Sequence, residues 1–442
     1  MMVSVPPSVE ALLEALQNAG FRACPVGGCV RDSLLGKVPH DWDIATSAKP
    51  QEVEAALPGF SCIETGIRHG TVTVLSQGHP IEVTTFRIDG VYSDHRRPDH
   101  VQFTDQLALD LQRRDFTINA MAWEHGQVID LFGGRADLQA GVLRCVGEPE
   151  VRFEEDGLRI LRALRFASVL DFCIEEKTAQ AVHQQRDLLR KIAAERLYAE
   201  LQKLLCGPAV GRILHTFSDV FFTMLPQLAP LASCLQHTPY HDCDAWEHTV
   251  RAVEEALPDP LLRLTMLLHD AGKPVCRSTD ADGIDHFYGH EKESTNIAQE
   301  IVRFLRLPTK EARTVIQAVE RHMLPMSPSR PLLQRRLCQF GPAFCKFLLQ
   351  VQRADTKAQP SHLHFRLEQI AESEAIIDTL LEENACFSLS QLAVRGGDLL
   401  ACGLSGPAVG KALDVLLQAV VEGNCPNEKQ ALLSFWKTHL SS

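Results

Sequence analysis

Residues 24–46 read CPVGGCVRDSLLGKVPHDWDIAT, and this segment opens an α/β unit. A short apolar strand ends in Gly27-Gly28, and a helix is predicted to begin near Val30. Small residues at such a turn let backbone N–H groups approach a phosphate, and the helix dipole favours its negative charge. Arg31 lies one turn into the helix, in position to pair with phosphate oxygens. The segment predicts a phosphate site, with an ordinary Gly-Gly turn as the alternative.

Two aspartates, Asp41 and Asp43, follow in the same segment at spacing i, i+2. On a strand, that spacing points both carboxylates to one face. Glu82 lies in a β-branched run and would be a third ligand if its strand neighbours the strand of Asp43. Two Mg²⁺ ions on a few carboxylates can stabilise the attacking and leaving oxygens of an in-line displacement. We therefore predict Asp41, Asp43 and Glu82 as catalytic residues that bind Mg²⁺. The alternatives are an exposed acidic pair and an edge-strand charge.

The strand-like runs end near residue 145. They lie at residues 24–26, 71–75, 81–86 and 128–131. The later segments have Leu, Ala, Glu and Arg at helical periods, at 155–205, 245–270, 292–322 and 365–384. The predicted fold class is α+β, with a mixed α/β head followed by all-α regions. Breaks that contain proline favour joints between helical units at 207–208, 226–230, 325–331 and 406–407.

The bulk composition restricts the function classes. A formal net charge of −12 argues against a protein that coats nucleic acid indiscriminately. The 14 cysteines include no CxxC pair and are expected to be reduced thiols. No apolar run approaches the roughly 18 residues that span a bilayer, and the start lacks the pattern of a signal peptide. We expect a cytoplasmic protein with no membrane contact.

Five segments follow one another along the first half of the chain: residues 25–46, Arg113–Met121, Asp130–Gly134, Glu155–Arg159 and Glu195–Leu205. In this order they resemble motif A, motif B, the hinge motif, the base-reading motif and the last neck motif of the class II tRNA nucleotidyltransferase and bacterial poly(A) polymerase family. The resemblance implies template-independent addition of C, C and A to the 3′ end of tRNA. The implied substrates are CTP and ATP, with Mg²⁺ as cofactor and pyrophosphate as product.

Asp156, Arg159, Arg162 and Arg165 repeat at intervals of three in a segment that fits a helix. A salt-bridged, solvated helix face is the ordinary interpretation of such a series. Cytosine and adenine each present an amine donor beside a ring-nitrogen acceptor, whereas uracil and guanine present the reverse. An aspartate that accepts and an arginine that donates therefore select CTP and ATP, and we predict Asp156 and Arg159 in these roles. The resemblance also gives Arg114, Arg162 and Arg165 to triphosphate or base contacts.

The polar segment 87–98 lies between Glu82 and motif B. The resemblance implies that a loop at this place is needed for the switch from C to A addition. Its presence favours full CCA activity over a partial, CC-adding enzyme, and an ordinary connecting loop is the alternative. A poly(A) polymerase and an A-adding specialist also stay open.

The helical half contains His248, the pair His269-Asp270 and Asp355. Such nitrogen and oxygen ligands suit a divalent ion that activates water for phosphoester hydrolysis. The segment Leu268–Pro274, with His290 and His322 farther along the chain, resembles the HD phosphohydrolase superfamily. The resemblance implies a second metal site for Mn²⁺, Ni²⁺ or Mg²⁺. A protein that is mainly an HD nucleotide phosphohydrolase, with a head that only binds, is an alternative from another class.

The complete prediction has four regions. They are a nucleotidyltransferase head (1–145), a neck that reads the base (146–207), a body with an HD domain (208–360) and a tail that binds tRNA (361–442). Basic stretches at 303–313 and 330–336 are candidates for RNA contact, although each is more often a solvated helix face.

Overall fold

A computed structural model describes residues 3–67, 70–90 and 101–439. The chain divides into two compact units, unit 1 (1–226) and unit 2 (227–442). The ten-residue gap at 91–100 contains most of the segment predicted to switch between C and A addition. That prediction therefore lies largely outside the described residues.

The first part of unit 1 is mixed α/β. Its elements are α1 (Pro7–Asn18), β1 (Ala23–Pro25), α2 (Gly28–Leu34), β2 (Asp43–Thr46), α3 (Pro50–Ala56), β3 (Ser61–Gly66), β4 (Thr71–Ser76), β5 (His79–Thr85), β6 (Arg87–Asp89), β7 (Val101–Phe103), α4 (Leu107–Gln112), β8 (Met121–Glu124), β9 (Gln127–Asp130) and α5 (Gly134–Ala140).

The rest of unit 1 is mainly helical. Its elements are β10 (Val142–Leu143), α6 (Pro149–Glu155), α7 (Leu158–Leu170), β11 (Cys173–Ile174), α8 (Glu176–Gln185), α9 (Ala194–Leu205), α10 (Val210–Thr216) and α11 (Ser218–Met224).

The five-stranded sheet of unit 1 has the order β1-β2-β5-β4-β3. β2 and β5 run parallel, and the other neighbours are antiparallel. Alternation along β4 buries Val72 and Val74 completely, and each such side chain contributes about 1.5–3 kcal/mol by leaving water. The predicted strands at 24–26, 71–75, 81–86 and 128–131 are confirmed within one or two residues. The neighbouring position of the strands that carry Asp43 and Glu82 is confirmed as well.

The turn between β1 and α2 depends on glycine. Gly27 has φ +76°, a conformation that side chains with a Cβ atom rarely adopt. A Cβ atom there would also lie 2.7 Å from Nη1 of Arg114, closer than real contacts allow. Helix α2 begins at Gly28, directly after this turn. The predicted strand, glycine turn and helix are therefore present.

The region 155–205, predicted to be helical, is divided in the structure among the end of α6, the helices α7, α8 and α9, and the short strand β11. Asp156 and Gly157 separate α6 from α7, so Asp156 does not share a helix with the arginines that follow. α7 packs on α9, where Ser168 Oγ donates to the carbonyl oxygen of Leu204 at 2.7 Å. Gly207 lies against this contact, because a Cβ atom there would be 2.2 Å from Ser168 Oγ.

Up to residue 439, where the described part of the chain ends, unit 2 consists of helices and one short hairpin. Its elements are α12 (Ala245–Glu255), α13 (Pro260–Leu268), α14 (Lys273–Cys276), β12 (Ser278–Thr279), β13 (Asp285–His286), α15 (His290–Phe304), α16 (Thr309–Arg321), α17 (Arg330–Phe340), α18 (Pro342–Ala358), α19 (Phe365–Glu382), α20 (Gly396–Ala401), α21 (Pro407–Val421) and α22 (Lys429–His439). Separate apolar clusters hold α17 to α19 and α20 to α22. Among the described residues, no helix is long and apolar enough to cross a membrane.

Candidate active site and a histidine–carboxylate cluster

Asp43 and Glu82 are paired in register on β2 and β5, and both side chains border a cavity of about 160 Å³. Arg87, Arg113 and Arg114 line the same cavity. Partial desolvation raises the pKa of the Asp43 carboxyl, with Glu82 and Asp41 adding to the rise and Arg114 opposing it. Two carboxylates that repel each other in this way are the setting in which a divalent cation is stabilising.

Asp41 has a different position from the one predicted. It lies in a bend before β2 rather than on the strand, and its side chain is 84% exposed. Its Oδ1 is 2.9 Å from Nδ1 of His40. The described lining of the cavity includes Asp43 but not Asp41. The placement of both aspartates on one strand is therefore wrong, although buried Trp42 between them leaves both carboxylates on the solvent side.

Arg31, predicted to contact phosphate, is buried in α2. Its Nη1 donates to Oδ1 of Asn119 at 2.6 Å, and its Nε donates to Oδ1 of Asp32 at 2.8 Å. In this structure the guanidinium braces α2 against motif B. The backbone at Gly28 stays open, because a Cβ atom there would meet only Nη2 of Arg31, at 3.8 Å.

Asp110, a residue that the sequence reasoning missed, anchors the arginines of the cavity. Its carboxylate is fully buried and accepts from Nε and Nη2 of Arg113, at 2.9 and 2.7 Å, and from Nη2 of Arg114 at 3.3 Å. Burial raises its pKa, but the two arginines more than offset this and the pKa is lowered. The i, i+3 and i, i+4 spacing was the available signal.

The predicted base-reading residues each have another partner in this structure. Arg159 is 8% exposed and donates to Glu155 Oε2 at 2.6 Å and to the carbonyl oxygen of Arg113 at 3.0 Å. Asp156 accepts from the backbone N–H of Leu158 at 3.1 Å and from Nη2 of Arg196 at 2.8 Å. The interpretation as a solvated helix face is wrong for Arg159, because this side chain is buried.

Arg162 and Arg165 share the carboxylate of Glu200 on α9, at 3.3 and 2.8 Å. Arg162 also donates to Oδ2 of Asp115, at 2.9 Å from Nε and 2.6 Å from Nη2. Burial works against the charge of Asp115, yet the Arg162 guanidinium holds the pKa of that carboxyl well below its usual range. Burial lowers the pKa of Arg165 to about 10, and its guanidinium carbon lies 3.8 Å from the ring centroid of Phe166.

Unit 2 brings together six side chains, five of them buried and one, Asp355, half-buried, which we name the histidine–carboxylate cluster. They are His248, His269, Asp270, His290, His322 and Asp355. Oδ2 of Asp270 lies 3.5 Å from Nε2 of His248 and 3.2 Å from Nε2 of His269. Its Oδ1 lies 3.3 Å from Nε2 of His290 and 3.8 Å from Nε2 of His322. One carboxylate therefore lies between two histidine pairs, each close enough to share a metal ion with it.

The ring orientations in the cluster suit metal ligation. Nδ1 of His269, His290 and His322 lies 2.7 to 2.8 Å from the backbone carbonyl oxygens of Met266, Phe287 and Val319, respectively. A hydrogen bond of this kind places the proton on Nδ1 and leaves the Nε2 lone pair for a metal. Asp355 completes the set, with Oδ1 3.0 Å from Nε2 of His248.

Cations neutralise the carboxylates of the cluster. The ammonium of Lys273 lies 2.6 Å from Oδ2 of Asp270 and 3.2 Å from Nε2 of His241. Burial alone would lower the pKa of His269, but Asp270 and Asp355 raise it to about 10. A metal ion that binds Nε2 of His269 would therefore displace a proton from it. Burial and the Lys273 charge lower the pKa of His241 to about 3. Lys273 and His241 are members of the site that the sequence analysis did not single out.

Known proteins match this chain along most of its length. Residues 24–144 match the family described as Poly A polymerase head domain, 171–229 the probable RNA and SrmB-binding site of polymerase A, and 289–436 the putative tRNA nucleotidyltransferase domain 2. The chain is 36% identical to a CCA-adding enzyme of Limosilactobacillus fermentum, over 96% of this chain and 94% of the relative. It is 38% identical to one of Levilactobacillus brevis, over 96% and 95%. A solved CCA-adding enzyme of Bacillus stearothermophilus in complex with CTP is 30% identical and superposes with a TM-score of 0.72, over 98% of this chain and 99% of that one.

Proposed function

This chain belongs to the family of CCA-adding enzymes, and we propose that Asp43 and Glu82 are the centre at which it adds C, C and A to the 3′ end of tRNA. The observation that supports this centre is the register of β2 and β5, which pairs the two carboxylates on the wall of a cavity that arginines also line. We assign Asp41 to the same metal site as a third carboxylate that would turn in from its bend. Since tRNA and nucleoside triphosphates are its substrates, we assign the enzyme to the cytoplasm.

The reaction is an in-line displacement. The oxygen of the terminal 3′-hydroxyl of tRNA forms a bond to the α-phosphorus of CTP or ATP while the bond to pyrophosphate breaks. Magnesium held by the carboxylates would favour the deprotonated hydroxyl and stabilise charge on the leaving group. Arg113 and Arg114, fixed by Asp110, face the same cavity and are positioned to hold the triphosphate. We place Gly28 beside a phosphate, and Arg31 as the support of that helix.

Base selection is assigned to Asp156 and Arg159. In the structure their charges are matched by Arg196 and Glu155, respectively, so the polar groups stay satisfied before a nucleotide binds. A cytosine or adenine edge would replace these partners with its amine and ring nitrogen. Arg162 and Arg165, held by Glu200, would support the helix and the nucleotide.

Nucleotide incorporation tests this assignment. The full chain is incubated with a tRNA that lacks CCA, and with CTP and ATP singly and together. We expect two C residues from CTP alone and a following A only when ATP is added. Extension by ATP alone into a long tail would instead identify a poly(A) polymerase, and arrest after CC would identify a partial enzyme.

For unit 2, we propose that the histidine–carboxylate cluster binds divalent ions, Mn²⁺, Ni²⁺ or Mg²⁺, and hydrolyses phosphoesters. The inward Nε2 atoms and the shared carboxylate of Asp270 support this assignment. The double substitution His269→Ala with Asp270→Ala should abolish divalent binding by unit 2 and any phosphoesterase activity, while CCA addition persists. Thermal melting identifies a variant that has unfolded. A wild-type chain that neither binds a divalent ion in unit 2 nor hydrolyses a phosphoester would leave the cluster a structural scaffold.

We also propose the division into head (1–145), neck (146–207), body (208–360) and tail (361–442), with the tail as the region that binds tRNA. The match of residues 289–436 to a tRNA nucleotidyltransferase domain supports it.

A further inference from the structure

A single aromatic ring in unit 1, that of Phe166 on α7, lies against three guanidinium groups. Its centroid is 3.8 Å from the guanidinium carbon of Arg165, 5.1 Å from that of Arg31 and 5.4 Å from that of Arg162. All three lie within the roughly 6 Å over which the negative face of a ring attracts a cation. Among the described residues, every other ring in such a contact has one cation. The sequence analysis did not single out Phe166.

The ring of Phe166 has a fixed position inside unit 1. The residue is 7% exposed, and its ring meets that of Phe116 edge to face, with centroids 5.7 Å apart and planes at 78°. Phe116 belongs to motif B and is completely buried. Since the ring is held by this packing, it can serve as a rigid surface for the flexible arginine side chains around it.

The arginines that contact this ring come from two elements. Arg162 and Arg165 lie on α7 with Phe166. Arg31 lies on α2, the helix whose first residue, Gly28, we place beside a phosphate. A guanidinium donates hydrogen bonds from its edge and leaves its flat face for stacking on a ring. The ring therefore connects the helix beside the phosphate with two arginines that we assign to the nucleotide.

Three positive charges this close together repel one another. Burial lowers the pKa of Arg165 to about 10, and Glu200 opposes this effect. The charges of Arg162 and Arg31 add to the lowering. Glu200 does not serve Arg165 alone, because Arg162 shares its carboxylate. An aromatic ring stabilises such cations without supplying a further negative charge, which would repel a triphosphate.

We propose that Phe166 is a positioning residue for nucleotide addition. Its ring holds the guanidinium groups of Arg162 and Arg165 where they attract the triphosphate of CTP or ATP, and the ring itself touches no substrate. The inference rests on the nucleotide contacts proposed for these two arginines. Because the ring acts through the charge on its faces, its effect depends on its electrons as well as on its shape. The base takes no part in this contact, so binding of CTP and of ATP depends on it equally.

Fluorinated phenylalanines separate the charge of the ring faces from the shape of the ring. In the full chain, Phe166 is replaced by its 4-fluoro, 3,5-difluoro and 3,4,5-trifluoro analogues, because each fluorine withdraws electrons and weakens the attraction of the ring for a cation. Steady-state addition of C to a tRNA that lacks CCA, and of A to a tRNA that ends in CC, gives KM and kcat. We expect KM for CTP and for ATP to rise in steps, to roughly tenfold, while kcat and the selectivity among the four triphosphates change little.

The matched control is the same series at Phe221, a completely buried ring on α11 with no cation among its described contacts, and KM should stay unchanged there. A KM that is constant along the series at Phe166, or that rises equally along the series at Phe221, would overturn the inference. A wild-type chain that adds no nucleotide would instead contradict the centre proposed at Asp43 and Glu82. The dissociation constant of CTP along the Phe166 series, measured by calorimetry without tRNA, then decides the inference, and a constant value would overturn it.

Discussion

Asp43 and Glu82 occupy the same register position on two parallel strands. Directly paired residues in neighbouring strands point to the same face of a sheet, so this one alignment brings together two carboxylates that are distant in sequence. If both carboxylates bind the same metal, substitutions of either one should have the same effect on catalysis.

Asp43→Asn or Glu82→Gln should lower the rate of both C and A addition by roughly 100-fold or more, because each removes a negative ligand of the metal at nearly constant shape. Single-turnover extension of tRNA at saturating Mg²⁺ measures this. Glu54→Gln on α3 is the matched control and should extend tRNA normally. Near-normal rates for either cavity variant would refute the metal assignment.

Asp41→Asn extends the same prediction to the carboxylate that lies in the bend. A loss similar to that of Asp43→Asn is expected if Asp41 joins the metal in the working enzyme. Normal extension by Asp41→Asn would restrict the metal site to Asp43 and Glu82.

Arg159→Ala should change selectivity more than chemistry, because the donor to the ring nitrogen is lost while the carboxylates stay in place. Discrimination against UTP and GTP is expected to fall by about 1–3 kcal/mol. The ratios of kcat/KM among the four triphosphates give the result, with Arg212→Ala, whose partner Asp171 is exposed, as the control. Equal slowing with all four nucleotides would make Arg159 a structural residue.

Asp110→Asn should raise KM for CTP and ATP together, by roughly tenfold, and leave base selectivity unchanged. The asparagine keeps the shape but loses the charge that orients Arg113 and Arg114, and each factor of ten corresponds to about 1.4 kcal/mol. Steady-state kinetics separates KM from kcat, and exposed Asp105 provides the control Asp105→Asn. A fall in kcat at unchanged KM would contradict the positioning role.

Asp115→Asn should destabilise unit 1 by about 3–5 kcal/mol at pH 7, since it breaks a buried ion pair with Arg162. The folded-state pKa of Asp115 is depressed, so its contribution is fully present above the unfolded-state pKa of about 3.9 and is lost as the pH falls through the folded value. The difference in free energy of unfolding between Asp115→Asn and wild type should therefore decrease below about pH 4. Urea unfolding followed by hydrogen exchange in unit 1 peptides measures it. Asp171→Asn, at an exposed pair, should cost less than about 1 kcal/mol. A difference that stays constant down to pH 3 would exclude the ionised carboxylate as its source.

Local patterns were enough to predict the sheet strands and to single out Asp43 and Glu82, and the structure meets the condition that their strands be neighbours. The set His248, His269-Asp270 and Asp355, together with the resemblance that adds His290 and His322, named all six members of the histidine–carboxylate cluster. The prediction failed where contacts between distant residues set the local backbone. Asp41 lies in a bend before β2 rather than on the strand, and Asp156 lies between α6 and α7 rather than on one helix with the arginines. The roles of Asp110 and Glu200 depend on arginines brought to them by folding. The spacing of Asp110 from Arg113 and Arg114 indicates a possible ion pair, but spacing alone does not distinguish a buried partner from a surface charge.

The contact between Asp115 and Arg162 has a consequence for transplanting the head. Asp115 follows the arginines of motif B, whereas its cation is supplied by α7 and is held in turn by Glu200 of α9. A fragment that stops near residue 145 would retain the carboxylate and lose the counterion. The head of this chain is therefore not expected to be stable on its own. A fragment or a transplanted head should extend through α9, so that Arg162 and Glu200 are kept together with Asp115 and the catalytic carboxylates.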